Sequence, residues 1–156
     1  MSRDFQLPGR SPVIACEGMA ATSHPLATLA AVDTLRAGGT AADAAIAAVA
    51  TLCVVEPAMT GIGGGCFVLM HKPGKGLLAY NGSGRAPAAA TLGWYQKQGI
   101  KTIEPTTPHA VTVPGAIDAW DRLLRDHGTR SLAQVLAPAI EAADKGFAVA
   151  PRVAHD

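Results

Sequence analysis

With 156 residues, 49% of them apolar and 4% aromatic, the chain is long enough for one compact core of mixed helix and sheet, or for a piece of one. Lys and Arg number 13 against 12 Asp and Glu, a formal net charge of +1. That balance leaves no basic surplus to neutralise phosphates or anionic lipid, which argues against nucleic acid and membrane surfaces as partners.

Residues 1–16, MSRDFQLPGRSPVIAC, carry charges and a Pro-Gly pair where a secretory leader would need an unbroken apolar run. The longest apolar stretch, Ala44 to Val55, is interrupted by Thr51 and is too short to span a bilayer. The expectation is a cytoplasmic protein whose residues 1–12 are flexible. Cys16, Cys53 and Cys66 are odd in number, sit among apolar residues and lack CxxC spacing, so they read as free buried thiols.

A first helix is signalled at Ser23, a small hydroxyl residue suited to capping free N–H groups, with Pro25 tolerated in the first turn. Leu26, Leu29, Val32 and Leu35 recur every three residues, and Gly38-Gly39 ends the run. Thr40 with Asp43 forms a capping-box pair that starts a second helix, with Ile46, Val49 and Cys53 as its buried stripe. Its other positions are mostly Ala, whose methyl groups let neighbouring elements approach closely, so this helix is expected at the centre. Residues 66–70 are a short apolar run of strand length, Lys72-Pro73-Gly74-Lys75 a turn, and Leu77 to Tyr80 a second strand pairing back on the first. The glycine- and proline-rich residues 81–90 predict a loop, residues 91–98 a short helix carrying Trp94 and Tyr95, and residues 99–112 irregular chain. Pro114-Gly115 opens a helix with Ile117, Trp120 and Leu124 on one face, ending at Gly128. Ser131 and Gln134 form another capping box, with Leu132, Val135 and Leu136 facing inward. Pro138 lacks the N–H an uninterrupted helix needs, so a break is expected at Ala137, with a further helix from Pro138 to Lys145 closed by Gly146. The chain stops at His155-Asp156 with sheet edges still to pair, which suggests a fragment.

Several motifs resolve into ordinary chemistry. Residues 61–65, GIGGG, miss the third glycine of the dinucleotide fingerprint, because Cys66 stands there and a strand follows, and no Lys-Ser/Thr pair makes a Walker loop. Their role is read as backbone freedom, with positive φ angles and tight packing beside other main chain or a substrate. His24, His71, His109, His127 and His155 show no metal-ligand spacing and read as capping or solvated residues, so no metal is expected. Gly82-Ser83-Gly84 is not a nucleophile elbow, since that turn needs glycines two away from the serine on both sides. Arg85, in a glycine-rich loop, can reach a ligand carboxylate with two parallel hydrogen bonds; the plainer alternative is a surface arginine.

Taken in order, Gly38-Gly39-Thr40-Ala41-Ala42-Asp43-Ala44-Ala45-Ile46-Ala47, Val55-Glu56-Pro57 and Gly61-Ile62-Gly63-Gly64-Gly65 resemble the N-terminal region of the γ-glutamyltransferase family. Arg85-Ala86-Pro87, Val113-Pro114-Gly115, Leu136-Ala137-Pro138-Ala139-Ile140 and Gly146-Phe147 continue the resemblance, which runs from about Ala15 to the end. It implies an α+β chain that is the helical and β-hairpin front of an αββα sandwich of the N-terminal-nucleophile hydrolases, incomplete here, with residues 1–156 the N-terminal part of a single domain. It further implies a precursor that cuts itself to expose a threonine, whose free α-amine acts as its own general base, with no metal or organic cofactor. That threonine begins a Thr-Thr-His stretch expected beyond residue 156, so no catalytic residue is assigned here and this stretch alone is expected to be inactive. Thr106-Thr107-Pro108-His109 only imitates it, with Pro108 interrupting the pattern.

The implied partners are a small-molecule amide and the C-terminal part, or small subunit, of the same precursor. In members specific for γ-glutamyl compounds such as glutathione, the arginine that clamps the donor carboxylate stands three residues before the Ala-Pro pair. Ser83 occupies that place here, and Arg85 directly precedes Ala86-Pro87. Similar Gly-Ser-Gly-Arg loops occur among small-amide hydrolases of the family, including oxamate amidohydrolases, so Arg85 is the candidate substrate contact. The competing expectation is a non-catalytic remnant or scaffold that lacks the catalytic half.

Overall fold

A computed structural model of the chain describes residues 12–155. Apart from Pro12, the segment expected to be flexible lies outside that range. The elements are α1 (Pro25–Arg36), α2 (Ala41–Val55), β1 (Cys66–Lys72), β2 (Gly76–Gly82), α3 (Leu92–Lys97), a 3-10 turn at Pro108–Ala110, α4 (Ala116–His127), α5 (Leu132–Lys145) and α6 (Pro151–His155). Helices and a two-stranded sheet therefore share one chain, as expected for a mixed fold, and no helix among the described residues is long and apolar enough to cross a membrane.

The alanine-rich α2 is central. It packs against α1, α4 and α5, and Ile46, Ala47 and Ala50 meet Trp120, Leu123 and Leu124 of α4 and Val135 and Ala139 of α5 in the main core. Val49 and Cys53 pack on the edge of that cluster, while Ala44 and Ala48 face α1. α1 departs from the leucine stripe of the sequence: Ala27, Ala30 and Ala31 are buried and Leu29 is 51% exposed. Alanine faces allow the two helices to approach closely, and of the leucine stripe Leu35 packs at the edge of this contact while Leu29 points to solvent. On α4, Leu123 rather than Ile117 joins Trp120 and Leu124 on the buried face.

Two local expectations are corrected. α1 is capped by His24, whose Nδ1 accepts from the Leu26 N–H at 3.2 Å, while the Ser23 hydroxyl donates to Glu56. α5 runs unbroken through Pro138. The capping box of Ser131 and Gln134 fixes its start, Val135 and Ala139 anchor it to the core on either side of the proline, and Gln134, whose carbonyl loses a donor, is solvent-exposed. Tertiary packing outweighs one missing hydrogen bond.

β1 and β2 pair antiparallel with Val68 opposite Tyr80 and Met70 opposite Leu78. Val68, Met70 and Tyr80 pack against the core, whereas Phe67, Leu69 and Leu77 on the other face are 76%, 75% and 69% exposed. At the inner end of the hairpin the Tyr80 hydroxyl donates to Asp126 Oδ2 at 3.0 Å, which makes the His127 Nε2–H, 2.8 Å away, the donor to that hydroxyl. β2 is thereby tied to the last turn of α4. Burial, then the hydrogen bond and charge of Asp126, push the Tyr80 phenol above its ordinary value.

Asp43 ties the helices together. Its side chain has no exposed surface and accepts from the Thr40 N–H at 2.7 Å, the Thr129 N–H at 3.1 Å, the Thr129 hydroxyl at 2.9 Å and the Arg130 N–H at 3.2 Å. The capping box expected at Thr40 is present, and it reaches across the chain to the junction between α4 and α5. Burial alone raises the Asp43 carboxyl, but the backbone donors of Thr40, Thr129 and Arg130 and the Thr129 hydroxyl outweigh it and hold it below the ordinary carboxylate value.

A group whose folded pKa is depressed adds stability above its unfolded pKa, about 3.9 for Asp, and loses it as pH falls through the folded value. Asp43→Asn is therefore expected to lower stability by about 2 kcal/mol at pH 7, the scale of hydrogen bonds to a charged group. Urea unfolding as a function of pH checks it: the gap between Asp43→Asn and the parent should narrow as pH falls below about 4.

Candidate substrate-binding site

Three loops meet at the start of α4. The GIGGG loop, residues 61–65, offers the Gly64 carbonyl to the N–H groups of both Gly115 and Ala116, each at 3.1 Å. These are among the first free donors of α4, which has no side-chain cap, so a loop carbonyl does the work of a capping residue. The loop after β2 lies alongside residues 111–115: the Val113 N–H donates to the Arg85 carbonyl at 2.9 Å and the Thr112 hydroxyl to the Ser83 carbonyl at 3.1 Å. The Asn81 side chain accepts from the Ser83 N–H at 3.1 Å and fixes the entry to this loop.

The junction is too close for side chains. Gly84 has φ of 73°, and a Cβ there would lie 1.9 Å from the Val113 carbonyl oxygen. A Cβ on Gly115 would lie 2.6 Å from the Gly82 carbonyl oxygen. The GIGGG loop itself differs from expectation, because none of residues 61–65 has positive φ. Only its last residue, Gly65, is pressed against other main chain, with a Cβ there falling 2.7 Å from Ser83 Cα. Its glycines serve close approach at Gly65 and helix capping through Gly64.

Arg85 projects from this frame as an exposed residue, and among the described residues no ion pair engages it. Its backbone is held by Val113 while its guanidinium is left available. Ser83, half-buried, has both its N–H and its carbonyl committed to the frame. Two segments flanking this loop approach again farther along. Pro87 and Val111 border a notch of about 190 Å³ with Trp94 and Tyr95 of α3 and His109 of the 3-10 turn. The three rings meet edge to face with centroids 5.1 to 5.7 Å apart. The sequence placed Trp94 and Tyr95 on a short helix but gave no sign that His109 joins them, since irregular chain of no fixed period separates the two.

Other candidates fall into structural roles. The Thr107 hydroxyl donates to the Glu104 carbonyl at 2.8 Å in a turn inside the chain, and its nitrogen is a peptide N–H rather than a free amine. His24 caps α1, His127 bonds Tyr80, and no cluster of three metal-ligating side chains occurs among the described residues. Cys53 and Cys66 are partly buried thiols, but Cys16 is exposed, because the segment preceding α1 lies on the surface.

The family model of Gamma-glutamyltranspeptidase matches residues 27–156. The chain belongs to that family. It is 42% identical over 138 residues to the glutathione hydrolase-like YwrD proenzyme of Bacillus subtilis, covering 88% of this chain and 26% of that protein. It is 38% identical over 148 residues to the oxamate amidohydrolase proenzyme of Klebsiella pneumoniae, covering 91% of this chain and 28% of that protein. Its structure superposes on Helicobacter pylori gamma-glutamyltranspeptidase with a TM-score of 0.84 at 32% identity, over 93% of this chain and 42% of that one. The chain thus spans about a quarter of the length of these curated relatives. The family motifs meet in two places: residues 38–47 pack against residues 136–140 in the core, and the glycine loop, the Gly82–Pro87 loop and Val113-Pro114-Gly115 meet at the start of α4.

Gly84→Ala adds a Cβ at a positive φ and against a carbonyl oxygen, so it is expected to cost about 2 kcal/mol or more. Thermal unfolding measures this, with Gly63→Ala, where a Cβ meets nothing within 4 Å, as a control expected to change little.

Proposed function

We propose that the chain is the front, large-subunit part of a γ-glutamyltransferase-like amide hydrolase or acyltransferase with the αββα sandwich of the N-terminal-nucleophile class. The nucleophilic threonine, with its free amine as general base, is supplied by another part of the same precursor, and Arg85 holds a carboxylate of the substrate. The observation that carries this reading is the loop frame: three family motifs lock together through main-chain atoms and leave one unpaired guanidinium exposed on it.

A guanidinium offers two parallel donors to a carboxylate, and with the backbone fixed only the side chain remains to be ordered, at about 0.5–1.5 kcal/mol. Such a clamp orients a small amide for acyl transfer to the threonine and plays no part in the proton transfers. Water or an amine then releases the acyl group. Small amides bearing a carboxylate fit it, whether γ-glutamyl compounds such as glutathione or oxamate-like amides. The names of the relatives, glutathione hydrolase-like and oxamate amidohydrolase, support both substrate classes.

Expression of the full reading frame that encodes this chain, followed by assays with glutathione and oxamate in parallel, tests the reading. Self-cleavage and hydrolysis of at least one amide are expected; neither would leave a non-catalytic scaffold. Arg85→Ala should lower kcat/KM roughly 10- to 100-fold, the scale of a charge-assisted hydrogen bond, chiefly through KM, with self-cleavage unaffected. An unchanged kcat/KM would remove Arg85 from the site.

A further inference from the structure

The Arg85 loop does not end at the guanidinium. Val113 and Arg85 are joined by a backbone hydrogen bond, and Pro87 and Val111, each two residues along from that bond, both line the aromatic notch. Both segments thus lead from the Arg85–Val113 bond to the rim of the notch. Two residues of chain span at most about 7 Å, so Pro87 and Val111 lie within about that distance of Arg85 and Val113 respectively.

The notch has a definite size and chemistry. Its volume of about 190 Å³ compares with the engineered cavity of about 150 Å³ that takes up benzene. One six-membered ring fits. Its walls are prolines, alanines and the rings of Trp94, Tyr95 and His109. Trp94 is 39% exposed, α3 buries none of its residues, and among the described residues these aromatics lie outside the core clusters. Large rings arranged edge to face around an open notch, outside any core, provide apolar contact with a defined orientation.

We propose that this notch is a ring-binding subsite of the Arg85 loop, taking a single aromatic or compact apolar group of an amide whose carboxylate Arg85 holds. The inference rests on the Arg85 reading given above and narrows it to amides that combine a carboxylate with one ring a few bonds away. Trp94 and Tyr95 then determine specificity: they discriminate ring-bearing from ring-free substrates and do not touch the scissile bond. The contribution falls on binding, so it enters KM rather than kcat.

N-phenyloxamate and oxamate share the carboxylate and the scissile amide and differ by one ring. With the full reading frame, Trp94→Ala is expected to lower kcat/KM for N-phenyloxamate at least 10-fold through KM while leaving oxamate within about 2-fold, a loss in the range of one hydrophobic contact group. Trp94→Phe, which keeps a ring, should restore most of it. Equal effects on both substrates, or none on N-phenyloxamate, overturn the subsite while leaving the amide-hydrolase reading standing. Calorimetric titration with phenylacetate and acetate needs no turnover. Phenylacetate should bind at least 10-fold tighter than acetate, with the advantage lost in Trp94→Ala. If no amide is hydrolysed, the functional reading fails and this titration alone decides the notch, equal binding of the two acids overturning it.

Discussion

Asp43 has no exposed surface, and the donors that satisfy its two oxygens come from Thr40 at the start of α2 and from Thr129 and Arg130 between α4 and α5. A buried carboxylate without such donors would neutralise or expel itself, so the three segments must stay together for the charge to exist there. The position at the first turn of α2 adds the favourable end of the helix dipole. The Thr40 hydroxyl, within 3.0 Å of the His127 carbonyl, places the last turn of α4 against the same point.

α4 carries this constraint to the other end of the molecule. Twelve residues of helix reach about 18 Å, from the Asp43 region to the Gly64 carbonyl that receives the first N–H groups. Tyr80, bonded to Asp126 and His127, fixes the hairpin to the same last turn, and the loop that follows β2 returns to the first turn. The Arg85 loop is therefore positioned from two directions: from below by the strand it leaves and from the side by residues 111–115.

Much of this was legible where one residue type has one local use. Thr40 with Asp43 and Ser131 with Gln134 announced capping boxes, and both formed, because that chemistry is settled within four residues. The hairpin around Lys72-Pro73-Gly74-Lys75 was likewise local. What the sequence hid depends on partners. The leucines of α1 looked like its core face until the alanines of α2 set how closely the helices approach, and Pro138 looked like a break until Val135 and Ala139 were seen anchored on both sides. Ser23 and His24 could each cap α1; the demand of Glu56, distant in sequence, takes Ser23 away. At the glycine loop, the tight packing expected of residues 61–65 holds at Gly65, the positive φ angles expected there are absent, and the capping of α4 by the Gly64 carbonyl gave no local sign. His109 beside Trp94 was invisible because no periodicity relates them.

The three loops hold one another by carbonyls, N–H groups and the absence of side chains at Gly65, Gly84 and Gly115. Such a frame places hardly any demand on the identity of the side chains it displays. The architecture separates what must stay fixed, the glycines and their main-chain partners, from what can drift, the residues at 83 and 85 and the rings of α3. Displayed groups can change one at a time without disturbing the main-chain bonds beneath them, and relatives of this one family carry different substrates in their names.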